Sequence, residues 1–183
     1  LFTFHINAQQ ILSVKEQARV VDEILADRLN NLLPELMDRA NLDMWILISR
    51  EYNEDPVLKT MLPATWLNAR RRTIIVFYRD KAKKTIEKLA VARYNFGENI
   101  ISAWDKSKEP NQWKRLIQII EEKNPEHIGL NYSTNFNICD GLDKTDYDEF
   151  MENLPKKFTS KVESAQQLAV RWIETRSERE MVI

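Results

Sequence analysis

The stretch over residues 43–56, which reads DMWILISREYNEDP, constrains the fold of this chain more than any other. Its segment 44–49 is short and almost wholly apolar, a pattern typical of a strand that is buried on both faces. The polar segment 50–55 follows without a break. The strand should therefore carry a charged loop at its C-terminal end, which is where open α/β sheets present their ligands and partners.

A long amphipathic helix precedes this strand. Ser13 and Glu16 form a capping box at its start, and apolar residues then recur at spacings of three and four. Pro34 has no backbone N–H and clashes with the preceding turn, so we expect a kink or a restart near Asn31. The helix should end near Asn41, which makes this part of the chain an α-then-β unit.

The rest of the chain alternates between strand and helix patterns. Residues 73–78, TIIVFY, are β-branched or aromatic throughout and predict a strand. The other predicted strands are residues 86–92, returning antiparallel, the edge segment 100–104, and the short segments 127–130 and 158–162. The predicted helices begin with a turn at 57–61 and a helix that has Pro110 at its first position and ends at Asn124. A third helix is capped by Thr145 and stopped by Pro155. A short helical segment opened by Ser164 and Gln167 follows, and then a linker at 170–175. This order favours an α/β fold with a mixed sheet, in a single layer flanked by helices.

Length and charge limit the class of partner. The 183 residues suffice for a domain that needs no disulfide or metal for stability, and the single cysteine cannot form an internal disulfide. Lys and Arg number 27 and Asp and Glu 28, so the net charge of -1 gives no general attraction to nucleic acid or to an anionic membrane. No run of 18 apolar residues exists, so no membrane span is expected. The compartment stays open, because a cytoplasmic chain and a cysteine-poor exported chain both fit.

The residue types that build most catalytic and metal sites are sparse or badly spaced. His5 and His127 are far apart and have no partner at metal-ligand spacing, so both are interpreted as structural or solvated. The acidic run over residues 140–149 lacks the spacing of a calcium loop and is interpreted as a polar loop and the first turn of a helix. Cys139 has no basic neighbour to activate it, and the three glycines cannot form a phosphate-binding loop. We expect no catalytic residue in this chain.

Two polar segments remain as candidates for a binding or contact site. One is the loop 50–55, which is dense in hydrogen-bonding groups, although internal salt bridges would explain its charges equally well. The other is a run of three arginines just before the strand 73–78. These arginines have the charge to bind phosphates, but in a chain of balanced charge a solvated face or a salt-bridge patch between subunits is favoured. The candidate residues are Arg50, Tyr52, Asn53, Asp55, Arg70, Arg71 and Arg72.

Three segments carry a resemblance to one family: LLPELMDRANLDMWILISREYNEDP, ARRRTIIVFYRD and RWIETRSEREMVI. In this order they resemble the N-terminal domain of the pita-bread metallopeptidases, which include aminopeptidase P, prolidase and creatinase, and the first two resemble bacterial Xaa-Pro peptidases in particular. The resemblance implies a creatinase-type N-terminal domain, with a mixed six-stranded sheet, helices on both faces and a fold related to ribonuclease H. The strands 44–49 and 73–78 carry no acidic residue for magnesium, which argues against nuclease chemistry.

The resemblance also implies a division of labour. Full-length members hydrolyse peptides next to proline with two divalent metal ions, such as manganese, cobalt or zinc, which are held by two aspartates, one histidine and two glutamates of a C-terminal domain. We therefore expect residues 1–12 to be an N-terminal arm, residues 13–169 the N-terminal domain, and residues 170–183 a linker and the start of a C-terminal catalytic domain. Ser177 and Glu180 form a capping box in this last segment, as a new helix would require.

The partners expected from the resemblance follow from this organisation. They are the chain's own C-terminal catalytic domain, further copies in a homodimer or higher homo-oligomer, and proline-containing peptides, with the N-terminal domain contributing to the oligomer contact and to an active-site rim. Nucleic acid and membranes are not expected as partners. An alternative is a stand-alone module of the same fold that binds a peptide or a protein without catalysis. A third hypothesis, nucleic-acid binding through the arginines, predicts salt-sensitive association.

Overall fold

The computed structural model describes residues 11–182, so His5 and most of the predicted N-terminal arm lie outside the described residues. Within this range, six strands form one sheet: β1 (Met44–Arg50), β2 (Arg72–Asp80), β3 (Thr85–Ala90), β4 (Ile101–Ser102), β5 (Ile128–Leu130) and β6 (Val162–Ser164). Their spatial order is β4-β3-β2-β1-β5-β6. The pairs β1–β2 and β2–β3 are antiparallel, whereas β3–β4, β1–β5 and β5–β6 are parallel.

Along the chain, the helices of the described residues lie before, between and after these strands. They are α1 (Val14–Asp27), α2 (Leu33–Ala40), α3 (Pro56–Lys59), α4 (Gln112–Lys123), α5 (Lys144–Asn153), α6 (Lys156–Thr159) and α7 (Gln166–Glu174). A π-helical segment, Arg28–Leu32, joins α1 to α2, and short 3-10 segments occupy Asn137–Cys139 and Glu180–Val182. None of the helices within residues 11–182 is long and apolar enough to cross a membrane.

The first helix behaves as its sequence predicts. The Ser13 hydroxyl accepts the backbone N–H of Glu16 at 3.3 Å, and the Glu16 carboxylate accepts the backbone N–H of Ser13 at 3.0 Å, so the capping box is confirmed. The predicted restart near Asn31 is present as the wider π-helical turn, after which Pro34 stands in the first turn of α2. Asn41 adopts a left-handed conformation, φ 54, and ends the helix.

The core fills both faces of the sheet. Alternate residues of β1 point to opposite sides, so Trp45 belongs to a cluster with α1, α2 and α7, whereas Ile46 belongs to a cluster with α4 and α5. Both side chains are fully buried. The prediction of a strand buried on both faces is confirmed, and so are the α/β class and the mixed six-stranded sheet flanked by helices.

Two helix starts differ from the predictions. The cap of α5 is Asp143 and not Thr145, because the Asp143 carboxylate accepts the backbone N–H of Asp146 at 2.8 Å. The cap of α4 is Asn111, whose side chain accepts the backbone N–H of Lys114 at 3.2 Å. Pro110 therefore lies before the helix instead of at its first position. In both cases an Asx side chain two residues away from the predicted start offers the better acceptor.

Two segments near the end of the chain also differ. Residues 158–162 were expected to be a strand, but Pro155 is followed by the helical turn α6, which buries Phe158, and the strand is Val162–Ser164. Residues 170–175 were expected to be a linker, but α7 continues to Glu174. Trp172 is buried in the core cluster and gives this part of the helix its anchor. The predicted domain boundary at residue 170 thus falls inside α7.

Candidate binding site at the carboxyl end of β1

Several loops meet at the carboxyl end of β1. Because β2 runs antiparallel to β1, its first residue, Arg72, pairs in register with Arg50, the last residue of β1. The segments that follow β3 and β4 reach the same end of the sheet. Together these loops surround a cavity of about 650 Å³, which we call the arginine cleft. It is lined by Arg50, Glu51, Arg70, Arg71, Arg72, Ala92, Arg93, Tyr94, Trp104 and Gln112.

Arg50 and Arg72 are held by one buried carboxylate. The Nε of Arg50 donates to Asp146 Oδ2 at 2.9 Å and its terminal nitrogen donates to Oδ1 at 2.7 Å, while Arg72 donates to the same Oδ1 at 3.2 Å. The side chain of Asp146 is 1% exposed. Its hydrogen bonds raise the pKa of Arg50 above the ordinary value, more than burial lowers it. Two like charges can thus face each other across paired strands because Asp146 lies between them.

Arg72 is fixed on further sides. It donates to Glu149 at 2.6 Å and to the side-chain oxygen of Gln112 at 3.1 Å, and its guanidinium lies 4.3 Å from the ring centroid of Trp113. Hydrogen bonds from Trp113 and then from Arg72 hold the pKa of Glu149 below its usual value. Arg72, like Arg50, is therefore paired within the chain. Internal salt bridges were the alternative for the loop 50–55, whereas the arginines at 70–72 were expected to form a solvated face or a patch between subunits.

Asp55 lies inside the fold, with 0% of its surface exposed. Its Oδ1 caps α3 by accepting the backbone N–H groups of Val57 at 2.7 Å and Leu58 at 3.0 Å, and its Oδ2 accepts the side-chain amide of Asn131 at 2.9 Å. Burial raises the pKa of this carboxyl group despite those hydrogen bonds. Asp55 therefore positions the loop from within and is not part of the chain's surface.

Tyr52 and Asn53 form the exposed tip of the loop. The backbone N–H of Asn53 donates to the Arg50 carbonyl at 3.0 Å and closes a tight turn. Tyr52 takes a left-handed conformation in this turn, φ 70, and its side chain is 89% exposed. A non-glycine residue in this region of backbone space is uncommon and often marks a functional segment. Tyr52 and Asn53 are therefore the predicted loop residues that are exposed to solvent.

Arg70 and Arg71 are exposed beside this tip. Arg71 is left-handed, φ 51, and is tied to Glu51 twice: its N–H donates to the Glu51 carboxylate at 3.0 Å, and its carbonyl accepts the N–H of Glu51 at 2.7 Å. Arg70 is joined to the Tyr94 hydroxyl only through its backbone. The run of arginines at 70–72 thus divides into one internally paired residue, Arg72, and two that face solvent.

Other members of the site were not predicted. The sequence indicates Asp146 and Glu149 only as acids of a polar loop and the first turn of a helix, it favours a core position for Trp104, and it does not point to Arg93 or Gln112 as site residues. Their only signal in the sequence was that acids at positions 146 and 149 share one helix face. The remaining contacts depend on the register of β1, β2 and β3, which brings distant residues to one end of the sheet.

No metal centre can be assigned to this part of the chain. Within residues 11–182, no group of three His, Cys, Asp or Glu side chains is placed to hold a metal ion. The residues present do not fit the dinuclear site that the resemblance implies for a C-terminal domain, so no step of metal chemistry is derived for them. His127 instead contacts Glu163 at 2.8 Å and Asn41 at 3.3 Å.

No family model and no curated protein matches the chain. Among solved structures, the chain is similar to an Xaa-Pro dipeptidase from Bacillus anthracis, with 13% sequence identity and a TM-score of 0.46. The alignment covers 93% of this chain and 39% of that chain, so the chain spans less than half the length of the dipeptidase.

Proposed function

We propose that this chain is the non-catalytic N-terminal domain of a dinuclear-metal Xaa-Pro peptidase, either a proline-specific aminopeptidase or a dipeptidase. The support is the resemblance of residues 32–56 and 69–80 to that family, together with the mixed six-stranded sheet and its two helix layers, which are the architecture that the resemblance implies. The two divalent metal ions belong, in this proposal, to a C-terminal catalytic domain. The residues of this chain, in this proposal, position that catalytic domain and form contacts with it and with other copies of the protein.

The observation that carries the proposed role is the presentation of Tyr52. Its ring is almost wholly in water, on a backbone conformation that costs roughly 1–3 kcal/mol for a residue with a side chain. An aromatic ring in such a place adds nothing to the stability of this chain, but it is well suited to bury against a second surface. Asn53 follows it in the same turn, and Arg71 is hydrogen-bonded to Glu51, which precedes the tyrosine. With Arg70, these residues provide polar groups for the edge of such a contact.

We propose that these residues contribute to an oligomer contact and to the rim of a proline-peptide site in the complete protein. Arg50 and Arg72 lie beneath this surface and stabilise it through their hydrogen bonds to Asp146. Asp55 fixes where the loop leaves β1 and enters α3. The partners in this proposal are the C-terminal catalytic domain, further copies of the protein and proline-containing peptides.

Substitution of Tyr52 in the complete protein tests this role. Tyr52→Ala should lower kcat/KM for an Xaa-Pro peptide by about tenfold or more, or shift the oligomer to a smaller mass, because a buried aromatic anchor is lost. Turnover with added Mn²⁺ and mass by light scattering are the measurements. Lys156→Ala is the matched control, since Lys156 is exposed on α6 at the other end of the sheet. If Tyr52→Ala behaves like Lys156→Ala in both assays, the proposed role is wrong.

A stand-alone binding module of the same fold is a second candidate function, and the arginine cleft is the observation that favours it. The cleft is formed by this chain alone. Saturable binding of a proline-containing peptide to the 183-residue chain, without any further domain, would support the module. The peptidase proposal expects no such binding, because the peptide site would be completed by another domain.

A further inference from the structure

The arginine cleft concentrates positive charge in a chain whose net charge is close to zero. The net charge is -1, yet the ten residues that line the cleft include five arginines and one acid, Glu51. The cavity volume of about 650 Å³ lies within the range of roughly 300–1,000 Å³ that is typical of small-molecule sites. The excess charge is therefore local and concave, unlike a solvated basic face.

Among the residues that the structure describes, three of the five arginines have no acidic partner. Arg50 and Arg72 are neutralised by Asp146, with help from Asp143 and Glu149. Arg70, Arg71 and Arg93 are exposed, and no carboxylate within residues 11–182 comes within salt-bridge distance of their guanidinium groups. Like charges that line one cavity repel each other, so an anion bound among them would relieve an unfavourable interaction.

Arg71 is held in the cleft wall at a cost in backbone energy. Its left-handed conformation, φ 51, is unusual for a residue with a long side chain. Two hydrogen bonds with Glu51, one to its carboxylate and one from its backbone, fix that conformation. A strained residue that its surroundings hold so firmly is a reason to look for a function.

The rest of the lining is rigid and partly apolar. The side-chain amide of Gln112 donates to the carbonyls of Val91 at 2.6 Å and Arg72 at 3.1 Å, and the indole N–H of Trp104 donates to the Glu109 carbonyl at 2.7 Å. Tyr94 and Trp104 are half-buried and offer ring surface to the cavity. A preformed wall of this kind suits an organic ligand better than a bare inorganic ion.

We infer that the arginine cleft binds a small organic anion that carries two or more carboxylate or phosphate groups. A guanidinium group matches either oxyanion with two parallel hydrogen bonds, so Arg70, Arg71 and Arg93 together can pair with two or three such groups. The apolar part of the ligand would lie against Tyr94 and Trp104. This site does not depend on the proposed peptidase association, because all of its residues belong to this chain.

Titration calorimetry on the 183-residue chain at low ionic strength tests the inference. The probes are citrate for carboxylates, pyrophosphate for phosphates, and acetate as a monovalent control. At least one of the two multivalent anions should bind with a Kd below about 1 mM, and acetate should not. The affinity should fall as salt is added, since the contacts are exposed ion pairs. The anion that binds more tightly identifies which oxyanion the site takes.

Two variants with opposite expected effects locate the binding. Arg71→Asn should weaken binding at least tenfold, because a charge-assisted contact is lost while asparagine tolerates the left-handed backbone. Glu51→Gln should strengthen binding a few-fold, because it removes the one acid of the lining and keeps the acceptor for the Arg71 N–H. Lys84→Asn is the matched control, since Lys84 is also an exposed cation with a left-handed backbone, φ 56, but lies at the other end of β2.

The outcomes separate cleanly. Tight binding of a multivalent anion that Arg71→Asn weakens and Lys84→Asn leaves unchanged supports the site. No binding of either anion, or equal weakening by Arg71→Asn and Lys84→Asn, overturns it. If only a single-stranded oligonucleotide binds in an Arg71-dependent way, the small-anion inference is also overturned, in favour of a polymeric ligand.

Discussion

At the scale of single residues, Asp55 determines where the charged loop ends. Its carboxylate caps α3 and accepts the amide of Asn131, whose own side-chain oxygen accepts the indole N–H of Trp45 at 2.7 Å. Gly141 packs so closely that an added Cβ would lie 2.4 Å from the Asp55 carboxyl carbon. The site is therefore buried and tightly packed, and ionising a carboxyl group there is costly, which explains its raised pKa.

This cost predicts a specific pH dependence. The pKa of Asp55 in the folded state lies above the value of 3.8 that it takes when unfolded, so its neutral form stabilises the fold below about pH 3.8, and that contribution is lost as the pH rises through the folded pKa. Relative to Asp55→Asn, which cannot ionise, the wild type should lose free energy of unfolding as the pH rises above about 4 and through the folded pKa of Asp55. Urea unfolding of both proteins across this range measures the difference, in which the other titrating groups cancel.

A second substitution at the same position separates charge from capping. Asp55→Ala removes both the cap and the acceptor for Asn131, so it should destabilise the fold by about 2 kcal/mol or more at every pH in the range. A difference between wild type and Asp55→Asn that stays constant, or that grows in favour of the wild type as the pH rises, would contradict the assignment of a raised pKa.

At the scale of elements, α5 is joined to the sheet through its first turn. Asp146 lies one turn into α5, its backbone is held by the cap Asp143, and its carboxylate reaches both β1 and β2 through Arg50 and Arg72. The interaction is partly screened on one side, because the Arg50 side chain is 39% exposed. It nevertheless joins a helix to two strands across the edge of the arginine cleft.

Removal of this carboxylate should destabilise the protein markedly. Asp146→Asn leaves two facing guanidinium groups without their shared counter-charge, and a loss of about 2–4 kcal/mol is expected, less than for a fully buried pair because Arg50 remains partly in water. Asp148→Asn, on the same helix, breaks only the exposed pair with Lys144 and should cost less than about 1 kcal/mol. Equal losses for the two variants in urea unfolding would show that Asp146 is not a structural counter-ion.

Among the secondary-structure elements, the sequence predicts the two central strands correctly but misassigns two segments near the end of the chain. The strands at 44–49 and 73–78 were found because their apolar and β-branched runs are local signals, and both are two-sided core strands. Residues 158–162 and 170–175 were misassigned because tertiary burial decides them: Phe158 and Trp172 are core residues on helices. Local pattern does not reveal which neighbour covers such a side chain.

The candidate site was predictable only where its members are adjacent in sequence. The loop 50–55 and the arginines 70–72 stand out by composition alone. Arg93, Trp104 and Gln112 join them because β1, β2, β3 and β4 pair in one particular register, and Asp146 joins because α5 packs beside α4 on that face. The burial of Asp55 was equally out of reach, since an acid in a charged loop is usually exposed.

At the scale of the whole molecule, the sheet separates two helix layers and gathers the chemically distinctive residues at one end. Tyr52, the solvent-facing Arg70 and Arg71, and the arginine cleft all lie where β1 ends and β2 begins. At the C-terminal end of α1, Arg28 donates to the Thr175 carbonyl at 2.7 Å and to Glu180 at 2.6 Å. Its guanidinium lies 4.4 Å from the ring centroid of Trp172. The last described residues are thus fastened to the domain.

The measurement that tests the proposed function most directly is to sequence the native gene downstream of the codon for Ile183. We expect about 200 further residues, the size of an ordinary second domain, containing two aspartates, one histidine and two glutamates able to hold two metal ions. A reading frame that continues in this way supports an N-terminal domain of an Xaa-Pro peptidase. A stop codon soon after Ile183, or a longer reading frame that does not encode that set of metal ligands, would contradict the proposal.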